Sequence, residues 1–242
     1  MTDPSYFVVI PAAGKGARFS PSGDVVKQHA DLLGKSILQR AIEPFISHQK
    51  IKCVVVVLSP YDSGLQQVES DIEHQKLSFQ RVGGKTRAES VLNGIRTLGT
   101  LAGPEDWILV HDAARPLITQ ELIDRLINEL TIDSDGGLLA CRLVDTIKNS
   151  NERNRVVSTA DRKQLWAAQT PQMFRRAKLE QALRMTIDRN DITDESSAIE
   201  ALGINPLLVE SDTTNFKITY AHDLDRAKLV LTNGAKKRRA EI

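Results

Sequence analysis

Apolar positions recur along this chain in two rhythms. Two short β-branched runs, FVVIPA (7–12) and IKCVVVVL (51–58), fit strands covered on both faces, as in a parallel sheet. Between them Ile37, Leu38, Ala41, Ile42, Phe45 and Ile46 repeat at helical spacing and predict a helix over 36–48, with Ser36 as its cap. Pro44 lies inside that pattern and predicts a kink or an early end. Ala88, Val91, Leu92, Ile95 and Leu98 predict an inward face on a helix over 86–98. WILVHD (107–112) reads as another strand, and a third helix over 119–130 follows, capped by Thr119. Strands alternating with helices of this length predict an α/β fold: a doubly wound, mostly parallel, Rossmann-like sheet.

Residues 137–175 break the rhythm. Two strand-like runs flank the polar turn NSNERNR, which predicts a protruding hairpin or arm that needs a partner surface. Helices return over 177–189 and 194–202, the second stopped by Gly203. A strand at 206–209, the short run NFKITY (215–220) and a last helix from about 222 close the pattern, which reads as a single domain over 1–242.

Composition narrows the function classes. Hydrophobic residues make up 41% and charged residues 26% of 242, which suits a globular domain with a real core. Lys+Arg is 32 and Asp+Glu is 31, so the net charge of +1 gives no global field for nucleic acid, and an anion site must be local. The cationic tail KKRRAEI reads as a solvated end rather than a nucleic-acid contact. Cys53 and Cys141 are too few for a disulfide framework or metal cluster and suit core packing in a reducing compartment. With no basic leader and no apolar run long enough to span a membrane, the expectation is a cytoplasmic protein.

Candidate chemistry sits at the ends of predicted strands. PAAGKGARF (11–19) puts backbone N–H groups where an anion can bind and brings the cations Lys15 and Arg18, with Lys27 beyond. It matches neither a Walker A loop nor a dinucleotide fingerprint, where Phe19 would have to be Gly or Ala. It is a phosphate loop of another kind, or a purely structural turn. In VHDAARP (110–116), Asp112 is a candidate Mg²⁺ ligand or a turn cap. Arg115 pairs with phosphate or with a surface acid, and His111 reads as structural. GGKTRAES (83–90) places Ser90 in a first helical turn, within reach of a base or ribose, or simply at a helix start. Thr146, Arg162, Thr170, Thr193 and Lys217, taken singly, read as surface or capping positions. No G-x-S-x-G elbow or H-E-x-x-H helix is present.

Taken in order, PAAGKGARF, VKQH, GGKTRAESV, VHDAARP, DTIK, DRKQLWAAQTPQMF, ITDESSAIE and NFKIT resemble the 2-C-methyl-D-erythritol 4-phosphate cytidylyltransferase family over about residues 7–230. The resemblance implies a nucleotidyltransferase that joins CTP and methylerythritol phosphate, with magnesium or another divalent cation, releasing pyrophosphate. It also implies a homodimer in which an arm at about 141–170 crosses to the neighbour. By motif match, Arg18 and Lys27 hold the triphosphate, while Arg162 and Lys217 position the attacking phosphate. Arg115, Thr146, Thr170 and Thr193 line the acceptor site, some from the partner chain. Ala12, Ala13, Gly14, Gly16, Gly84 and Ser90 contact CTP, with Asp112 and Ala113 near ribose and metal. Two positions depart from the family: Val26 and His29 flank Lys27–Gln28 where members often read proline and an aromatic, and Lys85 stands where some carry an acid.

The chemistry fits such a role. The attacking phosphate is already an anion, so no general base is required, and the absent hydrolase signatures are expected. The requirement is cancellation of charge between two anions. The competing expectations are a cytidylyltransferase for another polyol phosphate, such as ribitol 5-phosphate, and a non-catalytic CTP-binding subunit.

Overall fold

A computed structural model gives the fold and describes residues 4–14, 16, 18–19, 26–61, 72–133 and 135–240, with side chains as far as residue 233. Nine strands occur among them: β1 (Tyr6–Pro11), β2 (Ile51–Val57), β3 (Leu77–Gln80), β4 (Trp107–Val110), β5 (Gly137–Arg142), β6 (Lys148–Ser150), β7 (Val156–Thr159), β8 (Trp166–Arg175) and β9 (Leu207–Glu210). The helices are α1 (Ile37–Ile46), α2 (Arg87–Thr97), α3 (Gln120–Leu130), α4 (Arg176–Thr186), α5 (Glu195–Glu200) and α6 (Ala221–Ala240). Seven strands form one sheet in the order β3-β2-β1-β4-β8-β5-β9, and β6 pairs only with β7. Neighbours are parallel except that β8 runs antiparallel to both β4 and β5. The mostly parallel α/β expectation is met.

Alternation along the strands explains the two covered faces. Val8, Ile10, Val54, Val56 and Leu109 pack with Leu38, Ile42 and Phe45 of α1 and Leu122, Leu126 and Leu130 of α3. Their sequence neighbours Phe7, Val9, Val55, Val57 and Ile108 point the other way, onto Val91 and Ile95 of α2, Leu179 and Leu183 of α4, and Ala198 of α5. A smaller cluster, including Ile37, Leu117, Ile218 and Ala227, seats α6.

Local signals set the helix starts. Ser36 accepts from Gln39 N while the Gln39 side chain caps back, and Thr86 and Thr119 accept from Glu89 N and Leu122 N. Helix α1 stops at Ile46, earlier than the expected 48. Pro44 falls in its last turn, where its missing N–H costs one backbone bond and the chain turns out through Ser47. Residues 137–175 divide: β5 and β8 belong to the central sheet, and β6 with β7 makes a separate, fully exposed ribbon. Residues 215–220 form no strand; Asn215 and Ile218 are buried in an irregular loop.

Candidate active site

The loops at the carboxyl ends of β1 and β4 enclose, with the 84–90 segment, a cleft of about 250 Å³. Open α/β sheets bind ligands at this edge. Of the residues singled out from sequence, Ala13, Gly14, Gly16, Lys27, Gly84, Ser90, Asp112, Ala113 and Lys217 line it. Arg18 lines an adjoining cavity that shares Gly16, Lys27 and Lys217. Lys15 lies outside the described residues.

The first loop is held from beneath by Gln28. Its buried amide donates to the Ala12 carbonyl at 2.8 Å and to the Gly14 carbonyl at 2.6 Å. Ala12 is itself committed, its N–H donating to the Val57 carbonyl at 2.8 Å. Its backbone therefore sits behind the cleft, and Ala13, Gly14 and Gly16 form the wall. Gly16 has φ +66° and approaches Lys27 so closely that a Cβ there would lie 2.8 Å from Lys27 Cβ. Only glycine takes both that dihedral and that contact without strain. Lys27 begins a one-turn 3₁₀ segment, and its Nζ donates to the Ile218 carbonyl at 3.2 Å. Burial and the neighbouring Lys217 ammonium lower its pKa, opposed by Asp112. An anion in the cleft would relieve that repulsion.

Asp112 is the electrostatic centre. Arg87 Nη2 meets its Oδ1 at 3.0 Å, Lys217 Nζ meets Oδ2 at 2.8 Å, and Arg115 Nε lies 3.7 Å from Oδ2. Burial alone would push this carboxyl up; Arg87, Lys217 and Arg115 outweigh it and hold the group far below the usual carboxylate range. The backbone is fixed as well. Asp112 N–H donates to Thr170 Oγ1 at 3.0 Å, and that hydroxyl lies 3.0 Å from His111 Nδ1. His111 Nε2 faces the Arg115 carbonyl at 3.0 Å. Donor balance assigns a neutral imidazole: Nε2–H donates to the carbonyl and Nδ1 accepts from Thr170. Burial lowers the His111 pKa to about 4, in keeping with that tautomer.

Lys217 stands in the irregular loop, which is pinned at several points. Ile218 N–H donates to the Ala114 carbonyl at 2.8 Å, and Arg115 Nη1 donates to the Asn215 carbonyl at 2.7 Å. The buried Asn215 amide donates to Gln169 Oε1 and to the Thr170 carbonyl, both at 2.9 Å. Opposite, Ser90 Oγ donates to the Thr86 carbonyl at 2.9 Å and accepts from Gly84 N–H at 3.0 Å, bracing the 84–86 turn.

The chain as a whole is similar to known proteins. The sequence model of the 2-C-methyl-D-erythritol 4-phosphate cytidylyltransferase family matches residues 6–233. The chain belongs to that family. An enzyme of this name from Dechloromonas aromatica is 42% identical over 228 residues, covering 94% of this chain and 98% of its own. One from Aromatoleum aromaticum is 44% identical over 230 residues, covering 95% and 97%. Among solved structures, a 4-diphosphocytidyl-2C-methyl-D-erythritol synthase aligns with a TM-score of 0.82 at 36% identity over 96% of this chain and 100% of its own. The Francisella tularensis 2-C-methyl-D-erythritol 4-phosphate cytidylyltransferase aligns at 0.78 and 35% identity over 93% and 99%. The protein is thus a cytidylyltransferase of the methylerythritol phosphate type, a nucleotidyltransferase, as its motifs imply.

Several acceptor-side residues expected from the family stand apart from the cleft of one chain. Thr146 and Arg162 are exposed on the segments leading to and from the ribbon. Thr193 is exposed beside a second cavity, its N–H donating to Ser197 Oγ at 3.0 Å. Thr170 is buried, with its hydroxyl spent on His111 and the Asp112 backbone. Arg115 directs its guanidinium at backbone carbonyls of Asn215 and Ala168.

Among the described residues, the donors do not form a protein-held site for the divalent cation that the resemblance implies. Both Asp112 oxygens face cations. Among the described residues no group of three or more His, Cys, Asp or Glu side chains converges. Three further residues that motif reading left without a role are central: Arg87, Gln28 and Asn215. Each lies inside a quoted motif, but its partner is distant in sequence.

Proposed function

We propose that the nucleotide triphosphate lies across the backbone of Ala13, Gly14 and Gly16, with Lys27, Lys217 and Arg18 as its counter-charges. The cytosine then rests against Gly84 and Ser90, and the ribose against Asp112 and Ala113. Magnesium enters on CTP, as part of that substrate. A phosphate oxygen of 2-C-methyl-D-erythritol 4-phosphate forms a new bond to the α-phosphorus. The bond from that phosphorus to the bridging oxygen breaks, and its electron pair leaves with pyrophosphate. No proton need move, since the nucleophile is an anion. The lysines and arginines lower the repulsion between two anions and hold the in-line geometry. One observation carries this reading: Lys27 and Lys217 share one cleft with the glycine loop at the carboxyl edge of the sheet.

The acceptor side is completed in a homodimer, with Arg162 and Thr146 supplied across the two-fold by the ribbon-bearing arm. Two facts support this. The ribbon is fully exposed, including Val156 and Val157, and its residues line no part of the cleft of their own chain. Such a two-stranded ribbon is not stable without a surface to rest on.

Subunit complementation tests both halves. Lys27→Ala and Arg162→Ala, each inactive alone, are mixed and reassorted, and pyrophosphate release is measured with CTP and methylerythritol phosphate. If Arg162 serves the neighbour's site, random pairing restores roughly a quarter of normal activity, because half the dimers carry one intact site. No recovery would overturn the shared site. Ribitol 5-phosphate in the same assay should support little turnover.

A further inference from the structure

Behind Asp112 the charges alternate in a line that leads away from the cleft. Lys217 holds Oδ2 and Arg87 holds Oδ1 at 3.0 Å; Arg87 Nη1 then meets Glu195 Oε1 at 2.6 Å. Glu195, 108 residues along the chain from Arg87, is 1% exposed and opens α5. Its Oε2 has no hydrogen-bond partner among the described residues. The start of α5 is anchored independently: Asp194 caps Ser197 N–H, and Gln172 accepts from Ser196 N–H at 2.7 Å while donating to Asp194 Oδ2 at 2.8 Å. The carboxylate of Glu195 is therefore a fixed point, and Arg87 is oriented against it.

Stability does not account for this carboxylate. A buried charge with one oxygen unsatisfied is a net burden on folding, and an apolar residue of similar volume is often as stable or more so. Its geometry does something else. Glu195 takes Arg87 Nη1, and the other edge of the guanidinium, Nε at 3.1 Å and Nη2 at 3.0 Å, falls entirely on Asp112 Oδ1. With Arg87 set in that orientation, Oδ2 is left for Lys217. Arg87 lines the cleft and its side chain is 29% exposed, so without that anchor it has room to swing.

We propose that Glu195 is a positioning residue for cytidylyl transfer: acting through Arg87, it partitions the Asp112 carboxylate so that Lys217 is held at one point in the cleft. This rests on the role given to Lys217 above. Glu195 also follows Thr193 by two residues, so the same anchor ties the α5 loop to the nucleotide side of the site.

The test is a double-mutant cycle on the full-length enzyme, reading kcat and KM for CTP by pyrophosphate release. Glu195→Gln, which keeps volume and loses the charge, is expected to lower kcat/KM about tenfold, mostly in kcat. In a Lys217→Ala background the same change should matter less than about threefold, because the group it positions is gone. An equal factor in both backgrounds, or an unimpaired Glu195→Gln enzyme, overturns the proposal. Arg87→Lys keeps the charge but loses the fork, and should match Glu195→Gln without adding to it. If Glu195→Gln does not fold, the Arg87→Lys and Lys217→Ala cycle decides. If Lys217→Ala turns over normally, the role of Lys217 fails instead, which is a distinct result.

Discussion

Replacing Lys27 with alanine isolates the electrostatic work of the cleft. The ammonium is half-buried, and among the described residues it makes one hydrogen bond, to the Ile218 carbonyl at 3.2 Å. Water can take over that carbonyl at an open cleft, so folding should lose little. Catalysis should lose much more. A unit charge about 4 Å from a phosphate oxygen is worth about 4 kcal/mol at an effective dielectric near 20. Removing it also removes repulsion toward Lys217, which offsets part of that. A net loss of about 3 kcal/mol corresponds to roughly 10²–10³ in kcat, the range seen when one donor aimed at a developing anion is lost. The assay is steady-state pyrophosphate release with CTP and methylerythritol phosphate, beside a thermal melt of the same variant. Arginine at 27 should recover part of the rate. A Lys27→Ala enzyme that folds normally and turns over within about threefold of the parent refutes the reasoning.

The fold offers further tests. His111 is fully buried and neutral, with its pKa lowered from 6.5 to about 4 by burial. The unfolded chain takes up a proton there between those values and the folded one does not, so stability falls as pH drops from about 6.5 toward 4. The total is about 3 kcal/mol from this group, and melting curves of His111→Asn over that interval should be flatter than the parent's. Asn215→Ala leaves Gln169 Oε1 and the Thr170 carbonyl short of a donor inside the protein. It should cost about 1–3 kcal/mol in denaturant titration and, by loosening the Lys217 loop, lower kcat/KM for CTP. A variant as active and stable as the parent would show that the loop does not depend on that amide.

The amino-acid sequence by itself determined the layers of this protein. Runs such as FVVIPA and IKCVVVVL, and the helical spacing around Ile42, Ile95 and Leu126, are local patterns, and a strand or helix covered on one side leaves the same trace in any fold of this class. The caps Ser36 and Thr119 act within three residues, so they were legible too. The loops that meet at the cleft could be picked out because glycines, cations and an aspartate cluster after strands. Tertiary structure alone decided how those residues are used. Asp112 reads as a candidate metal ligand or turn cap, and only the fold shows that Arg87 and Lys217, 25 residues before it and 105 after, meet its oxygens. Thr170 taken singly reads as a surface or capping position, and only the pairing of β8 buries it against His111. The 137–175 segment reads as one arm, but pairing of β5 with β8 and β9 draws its ends into the sheet. The reason is the same throughout. Periodicity and capping are properties of neighbours along the chain, whereas the state of a charged side chain depends on which opposite charge folding brings within 3 Å, and spacing along the chain does not encode that distance.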